Sequence, residues 1–241
     1  MFLAGPSRSK DQKSKVCRVS HLLLLSMNKF NKINNLSKWL SSVFFLSIAL
    51  IVWLFFIENS DEKLLLWARY TARISFSYFI ISFSASSLHY FFSNTFTELI
   101  RRDRRYIGLS FALAHTVHLV ALTSFFIVMK ENLGIVTLIG GGLGYVLVYA
   151  MALTSNDNAV KKLGLKQWKR IHWFGVNYIA VIFALTYVGK LLNGQLNGSD
   201  YDYLTFTLMV AIIFMVFILR LIYFLKSQTV TTSRLRSLLR N

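Results

Sequence analysis

Apolar residues are concentrated in six long runs that short polar or basic segments separate. Each run is close to the length of about 20 residues that an α-helix needs to cross a bilayer. The runs cover residues 39–57, 70–92, 106–129, 135–154, 171–192 and 204–225. The pattern predicts an all-α integral membrane protein built as a six-helix transmembrane bundle. It divides the chain into a basic N-terminal tail (1–36), the six-span domain (37–225) and a basic C-terminal tail (226–241).

The charge balance fixes the expected orientation of these spans. The chain has 27 Lys and Arg residues against 10 Asp and Glu, giving a formal net charge of +17, yet its mean hydropathy is +0.51. High hydropathy excludes a disordered chain and argues against a soluble nucleic-acid-binding protein. Most of the cations lie in the two tails and in the segments after the second and fourth runs, which face one side of a six-span bundle. The positive-inside rule then predicts that both termini are cytoplasmic.

These features predict an integral membrane protein without a nucleic-acid partner. The membrane is expected to be the bacterial inner membrane. The first residues lack the long apolar core of a signal peptide, and Met27 is an alternative candidate for the translation start. The single cysteine, Cys17, excludes an intramolecular disulfide framework and a cysteine-ligated metal cluster.

Two of the five histidines, His115 and His118, lie well inside the third apolar run. An ionisable side chain at membrane depth indicates a functional site, and side chains three residues apart on a helix face broadly the same way. One interpretation is ligation of haem iron by imidazole. The other is hydrogen bonding to a Ser or Tyr of a neighbouring helix.

Three stretches of the chain resemble a known membrane family. They are residues 69–88 (RYTARISFSYFIISFSASSL), 104–119 (RRYIGLSFALAHTVHL) and 152–178 (ALTSNDNAVKKLGLKQWKRIHWFGVNY). They are similar to the ferric reductase-like transmembrane domain. This family includes ferric reductases, NADPH oxidases and the haem-binding membrane subunit of the periplasmic methionine-sulfoxide reductase system, which is the nearest in size. The resemblance implies an oxidoreductase subunit that passes electrons through b-type haem to an acceptor outside the membrane.

The resemblance also implies the residues that hold the cofactor. His118 and His172 take the positions of iron ligands, and His115 and His89 are substitutes. Arg73 is a candidate partner for a haem propionate, because a guanidinium suits a carboxylate; the alternative is that Arg73 extends its charge toward the membrane surface.

The family pattern is incomplete in this chain. The second histidine of the family's fifth helix is replaced by Leu185 or Thr186, and Arg104 stands where two-haem members carry an inner histidine. At 1.5 Å per residue, His118 lies about 20 Å beyond the start of its span and His172 only about 3 Å, so their depths differ by about 17 Å. One iron held by both is therefore not expected.

Three arrangements remain open. His89 lies at about the depth of His172 and is a candidate partner for it, while His118 is expected to bind alone or with a thioether such as Met209 or Met215. The third is a haem-free relative that keeps the bundle as a structural or interaction protein. No flavin or nicotinamide domain is expected in this chain, so the electron donor would be quinol, free flavin or a separate reductase.

Overall fold

The computed structural model describes residues 33–57, 62–130, 134–197 and 200–238. Across these ranges the chain is almost entirely helical and has no strand. The first helix, α1, covers residues 33–57 and ends in a π-helical turn, Trp53–Ile57. The others are α2 (Lys63–Phe91), α3 (Thr95–Met129), α4 (Ile135–Thr154), α5 (Asp157–Leu163), α6 (Leu165–Asn197) and α7 (Asp200–Leu238).

Among the described residues, five helical segments are long and apolar enough to cross a membrane. They are Ile33–Phe56, Thr95–Met129, Thr137–Thr154, Leu165–Leu192 and Tyr203–Thr229. Large apolar side chains are exposed along them, as expected of surfaces that face lipid rather than water. The predicted all-α fold is confirmed for the described residues, and five of the six predicted spans correspond to helices that could cross a membrane.

The remaining long helix, α2, is the most polar of the predicted spans and packs against three other helices. It lies against α3 along much of its length and also contacts α7 and the end of α1. Its buried hydroxyls bond to its own backbone: Thr71 donates to Trp67 O and Ser87 donates to Ser84 O. A helix that faces other helices needs less apolar surface than one that faces lipid, which explains why α2 falls outside the set of apolar spans.

The helices α2, α3, α4, α6 and α7 form a ring of neighbouring contacts, because α4 packs on both α3 and α6, and α7 packs on both α6 and α2. Aromatic side chains fill the space inside. Phe183 of α6 lies 5.2 Å from Phe79 of α2 and 6.4 Å from Phe111 of α3, measured between ring centroids. These pairs meet edge to face or tilted, whereas Phe79 stacks on Phe83 and Phe183 on Tyr187.

Contacts between distant segments define one end of this bundle. Arg105 of α3 donates to Asp157 Oδ1 (2.8 Å) and to Ser155 O, and Trp39 Nε1 of α1 donates to Asp103 Oδ2 (3.2 Å). The end of α2 meets α7 where Tyr90 packs on Tyr223. We call this the basic end. It contains the start of α1, α3 and α6, the last residues of α2 and α4, and the part of α7 around Tyr223, together with Arg101, Arg102, Arg104, Arg105, Lys161, Lys162, Lys166, Lys169 and Arg170.

The helices extend beyond the apolar runs that predicted them. The third begins at Thr95, where Asn94 and Thr97 form a capping box. The sixth apolar run lies in a helix that continues to Leu238, through most of the predicted C-terminal tail, and the predicted loop at 193–203 is largely helical. Hydropathy identifies only the part of a helix that lipid surrounds. Capping interactions decide at which residue the helix begins. Residues 1–32 of the predicted N-terminal tail lie outside the described residues.

A cluster of four glycines on α4, at positions 140, 141, 142 and 144, lets α6 approach closely. Tyr178 of α6 donates its hydroxyl to Gly140 O (3.0 Å), and a Cβ added at Gly144 would lie 3.6 Å from Ile179. Gly141 and Gly142 have open space beside them. Only one face of the glycine cluster therefore serves helix packing.

Candidate cofactor site

A pair of histidines on α3 is held by hydroxyls of α2. His118 Nδ1 lies 3.2 Å from Thr71 Oγ1, and His115 Nδ1 lies 2.9 Å from Ser75 Oγ. The two helices run in opposite directions, so residues one turn apart on α2 match residues one turn apart on α3. Both rings therefore face the interior of the bundle. Neither Nε2 atom takes part in a hydrogen bond among the described residues.

The surroundings of the two rings differ. His115 stacks on Tyr145 of α4, with ring centroids 4.4 Å apart and an interplanar angle of 24°. Phe111 and Phe183 lie on its other sides, at 5.3 and 6.0 Å. The ring of His118 has only His115 as an aromatic neighbour, at 5.7 Å. Of the two, His118 is the less enclosed by packed rings.

Buried polar atoms without a partner lie beside this pair. Among the described residues, the hydroxyl of Tyr145, which stacks on His115, has no hydrogen bond, nor has Trp67 Nε1, one helical turn from Thr71. Tyr187, whose ring lies 4.9 Å from that of Phe76, and Ser110 of α3 have two further such hydroxyls. Buried polar groups are normally paired, so the unpaired Tyr145 hydroxyl next to His115 indicates a place for water or a ligand.

The predicted second ligand, His172, has a different environment. Its Nε2 lies 3.1 Å from Thr154 Oγ1 of α4, and its ring packs on Trp168 at 4.3 Å. Trp168 in turn donates from Nε1 to Thr154 O (2.9 Å). This histidine therefore joins the start of α6 to the finish of α4, and the nitrogen that most often binds metal is already in a hydrogen bond.

The histidine pair and His172 belong to opposite halves of the bundle. His172 is bonded to Thr154, whose neighbour Ser155 accepts at its carbonyl oxygen from Arg105 of α3, so His172 lies at the basic end. Along α3, His118 is about 21 Å from Arg104 at the helical rise of 1.5 Å per residue. The structure therefore does not bring the two predicted iron ligands together, in agreement with the depth argument from the sequence.

The other two predicted site residues have their own contacts. His89 lies near the finish of α2, with Nδ1 3.2 Å from Thr97 Oγ1 and Nε2 3.1 Å from Glu98 Oε2. Both of its ring nitrogens are thus used in the connection between α2 and α3. Arg73 lies over the ring of Tyr70, 5.0 Å from its centroid.

Sequence reasoning missed the residues that surround the histidines. Thr71 and Ser75 are one turn apart in a Ser-rich run, which could have suggested an interhelical match with the pair on α3. Tyr145 and Trp67 carried no such signal, because nothing local distinguishes them from membrane-interface aromatics. Among the described residues, no group of three or more His, Cys, Asp or Glu side chains could hold a bare metal ion.

Comparison with known proteins gave no match: no protein-family model, curated protein or solved structure is significantly similar to this chain. The resemblance to the ferric reductase-like family therefore stays a prediction from the three stretches described above.

Proposed function

We propose that this chain is a six-span membrane protein of the ferric reductase-like type that binds b-type haem and transfers electrons across the membrane. In this proposal α2 also crosses the membrane, which brings the number of spans to six. The basic end faces the cytoplasm of a bacterium, as the positive-inside rule requires. Both termini are then cytoplasmic, and electrons leave toward an acceptor on the opposite side.

The observation that carries the proposal is the availability of His118 Nε2 inside the bundle. Its Nδ1 is held by Thr71, and histidines that bind metal characteristically use the second ring nitrogen in this way. Haem brings four nitrogen ligands of its own, so a single imidazole is enough to hold it, and a cluster of three protein ligands is not required. The unpaired Tyr145 hydroxyl and Trp67 Nε1 add polar atoms suited to its edges.

The donor set fits a haem with one protein ligand better than a bis-histidine haem. His115 is on the same helix as His118 and its ring is packed against Tyr145, so it is the substitute ligand rather than an opposing one. When bound, the haem would supply one-electron chemistry. The protein would position it through His118, exclude water with the surrounding aromatic rings, and fix the imidazole tautomer through Thr71.

The position of His118 favours a donor that moves within the bilayer. A soluble flavin or reductase at the basic end would stand about 21 Å away along α3, whereas quinol can approach the bundle from the lipid at any depth. We therefore favour quinol over free flavin or a separate reductase subunit.

A visible spectrum tests the proposal. The chain is expressed with added haem precursor, purified in detergent and compared, oxidised and dithionite-reduced, with an identically prepared unrelated membrane protein. A Soret band that shifts on reduction is expected, with a further shift when carbon monoxide takes the open iron position. Absence of a Soret band in folded, monodisperse protein would exclude haem.

A second candidate function is favoured by the aromatic core. Phe79, Phe111 and Phe183 occupy the interior between the histidine pair and the basic end. A packed interior of this kind suits a haem-free protein that uses the bundle as a structural or interaction module. A colourless protein whose stability does not change when haem is added would support this second candidate.

A further inference from the structure

The arginines near the start of α3 do not all have the same kind of partner. Arg101 pairs with Glu98, Arg102 with Asp103, and Arg105 with Asp157. Arg104 pairs with no carboxylate in the part of the chain that the structure describes. It donates from Nε to Ser82 O (3.1 Å) and from Nη1 to Ser86 Oγ (3.3 Å), both on α2.

Arg220 of α7 also bonds to α2. It donates from Nη1 to Phe83 O (2.6 Å) and lies over the Phe83 ring at 3.8 Å. No carboxylate among the described residues pairs with it. The two guanidiniums thus bond to consecutive carbonyls of α2, Ser82 and Phe83, which brings their like charges to the same turn of that helix.

Two half-buried cations side by side need an anion, since their repulsion grows as water is excluded. Carbonyl dipoles satisfy single N–H groups but do not neutralise the charge. The described hydrogen bonds leave Nη2 of Arg104 free, together with Nε and Nη2 of Arg220. Those donors form the planar edges that guanidinium groups use to bind phosphate oxygens.

The depth of the pair matches that of lipid phosphates. Arg104 lies just before the third apolar run, and Arg220 lies about 8 Å inside the end of the sixth at 1.5 Å per residue. Beside them on α7, Ile218 and Leu221 are exposed apolar side chains that suit an acyl chain. We propose that Arg104 and Arg220 together bind the phosphate of an anionic phospholipid at the basic end of the bundle.

The test uses the purified full chain, delipidated in detergent. Phosphatidylglycerol, phosphatidylcholine and inorganic phosphate are added separately, and binding is followed by native mass spectrometry and by thermal unfolding. We expect phosphatidylglycerol to bind and to raise the unfolding temperature, and the other two additions to have little effect. Arg104→Gln and Arg220→Gln should each weaken phosphatidylglycerol binding by about tenfold or more, the scale of a lost charge-assisted contact.

Arg101→Gln is the matched control, because Arg101 is an exposed arginine of the same helix with its own carboxylate partner. It should bind phosphatidylglycerol as the unaltered chain does. If the glutamine variants fail to fold, Arg104→Lys and Arg220→Lys keep the charge and lose the planar fork, and a severalfold weaker binding is expected. The proposal would be overturned if phosphatidylcholine bound as well as phosphatidylglycerol, or if inorganic phosphate alone raised the unfolding temperature. It would also be overturned if Arg101→Gln lost as much phosphatidylglycerol binding as the other variants. The proposal does not depend on haem.

Discussion

The histidine pair on α3 and the lone His172 on α6 show how one residue type serves two purposes in one bundle. In the pair, each Nδ1 is bonded to a hydroxyl of α2 and each Nε2 stays outside the described hydrogen bonds. In His172 the Nε2 is bonded to Thr154, and the ring is packed on Trp168. The first arrangement is the one for which we propose a ligand, whereas the second joins two helices. The hydrogen-bonding state of Nε2 is therefore a better guide to the role of a histidine than its match to a family pattern.

Removing the histidines singly gives the largest expected contrast. His118→Ala should abolish most of the Soret absorbance, because it removes the axial ligand, while His172→Ala should keep it. The measurement is haem per protein in detergent, with folding checked by size-exclusion chromatography. Full absorbance in His118→Ala combined with loss in His172→Ala would reverse the comparison.

Removing the hydroxyls behind the pair should have a smaller effect. Thr71→Val should weaken haem binding about 10- to 100-fold, the usual cost of losing a group that orients a metal ligand. The measurement is titration of haem-free protein with haem. Ser77→Ala is the matched control, since the Ser77 hydroxyl is exposed and bonds only to Arg73 O of its own helix. Equal affinities in the two variants would show that Thr71 does not orient the ligand.

At the other half of the bundle, Gly175→Ala should change stability rather than the spectrum. A Cβ at this buried glycine would lie 2.6 Å from Met151 Sδ, so α4 and α6 must separate or Met151 must move. Because Met151 is flexible and can shift, we expect this overpacking to cost about 1 kcal/mol of the free energy of unfolding relative to the control. Gly189→Ala, which has open space, is the control. Thermal unfolding checks both, and an unchanged Gly175→Ala would contradict the close packing.

The smallest effect is expected at the partner of His172. Thr154→Val removes the hydroxyl bonded to His172 Nε2 and should cost about 1 kcal/mol of stability, as the loss of one hydrogen bond does. Haem content should not change. Thr123→Val, whose exposed hydroxyl bonds to its own helix at Leu119 O, should cost less. Loss of haem in Thr154→Val would assign a cofactor role to His172 after all.

The sequence by itself determined the fold class and the separation of the histidines. Apolar runs of bilayer length predict helices, because only a helix satisfies its own backbone in lipid over such a stretch. The depth difference between His118 and His172 followed from the fixed rise of the helix. Neither inference required knowledge of which helices touch.

Only the tertiary structure decided the partners of those residues. It placed the Ser-rich α2 against α3, where its hydroxyls meet the histidine pair, and it left Arg104 and Arg220 on adjacent carbonyls of that helix. Periodicity along one helix states which side chains share a face. It does not state which neighbouring helix covers that face, because in a membrane most helices present similar apolar surfaces and the choice depends on side-chain fit and interhelical hydrogen bonds.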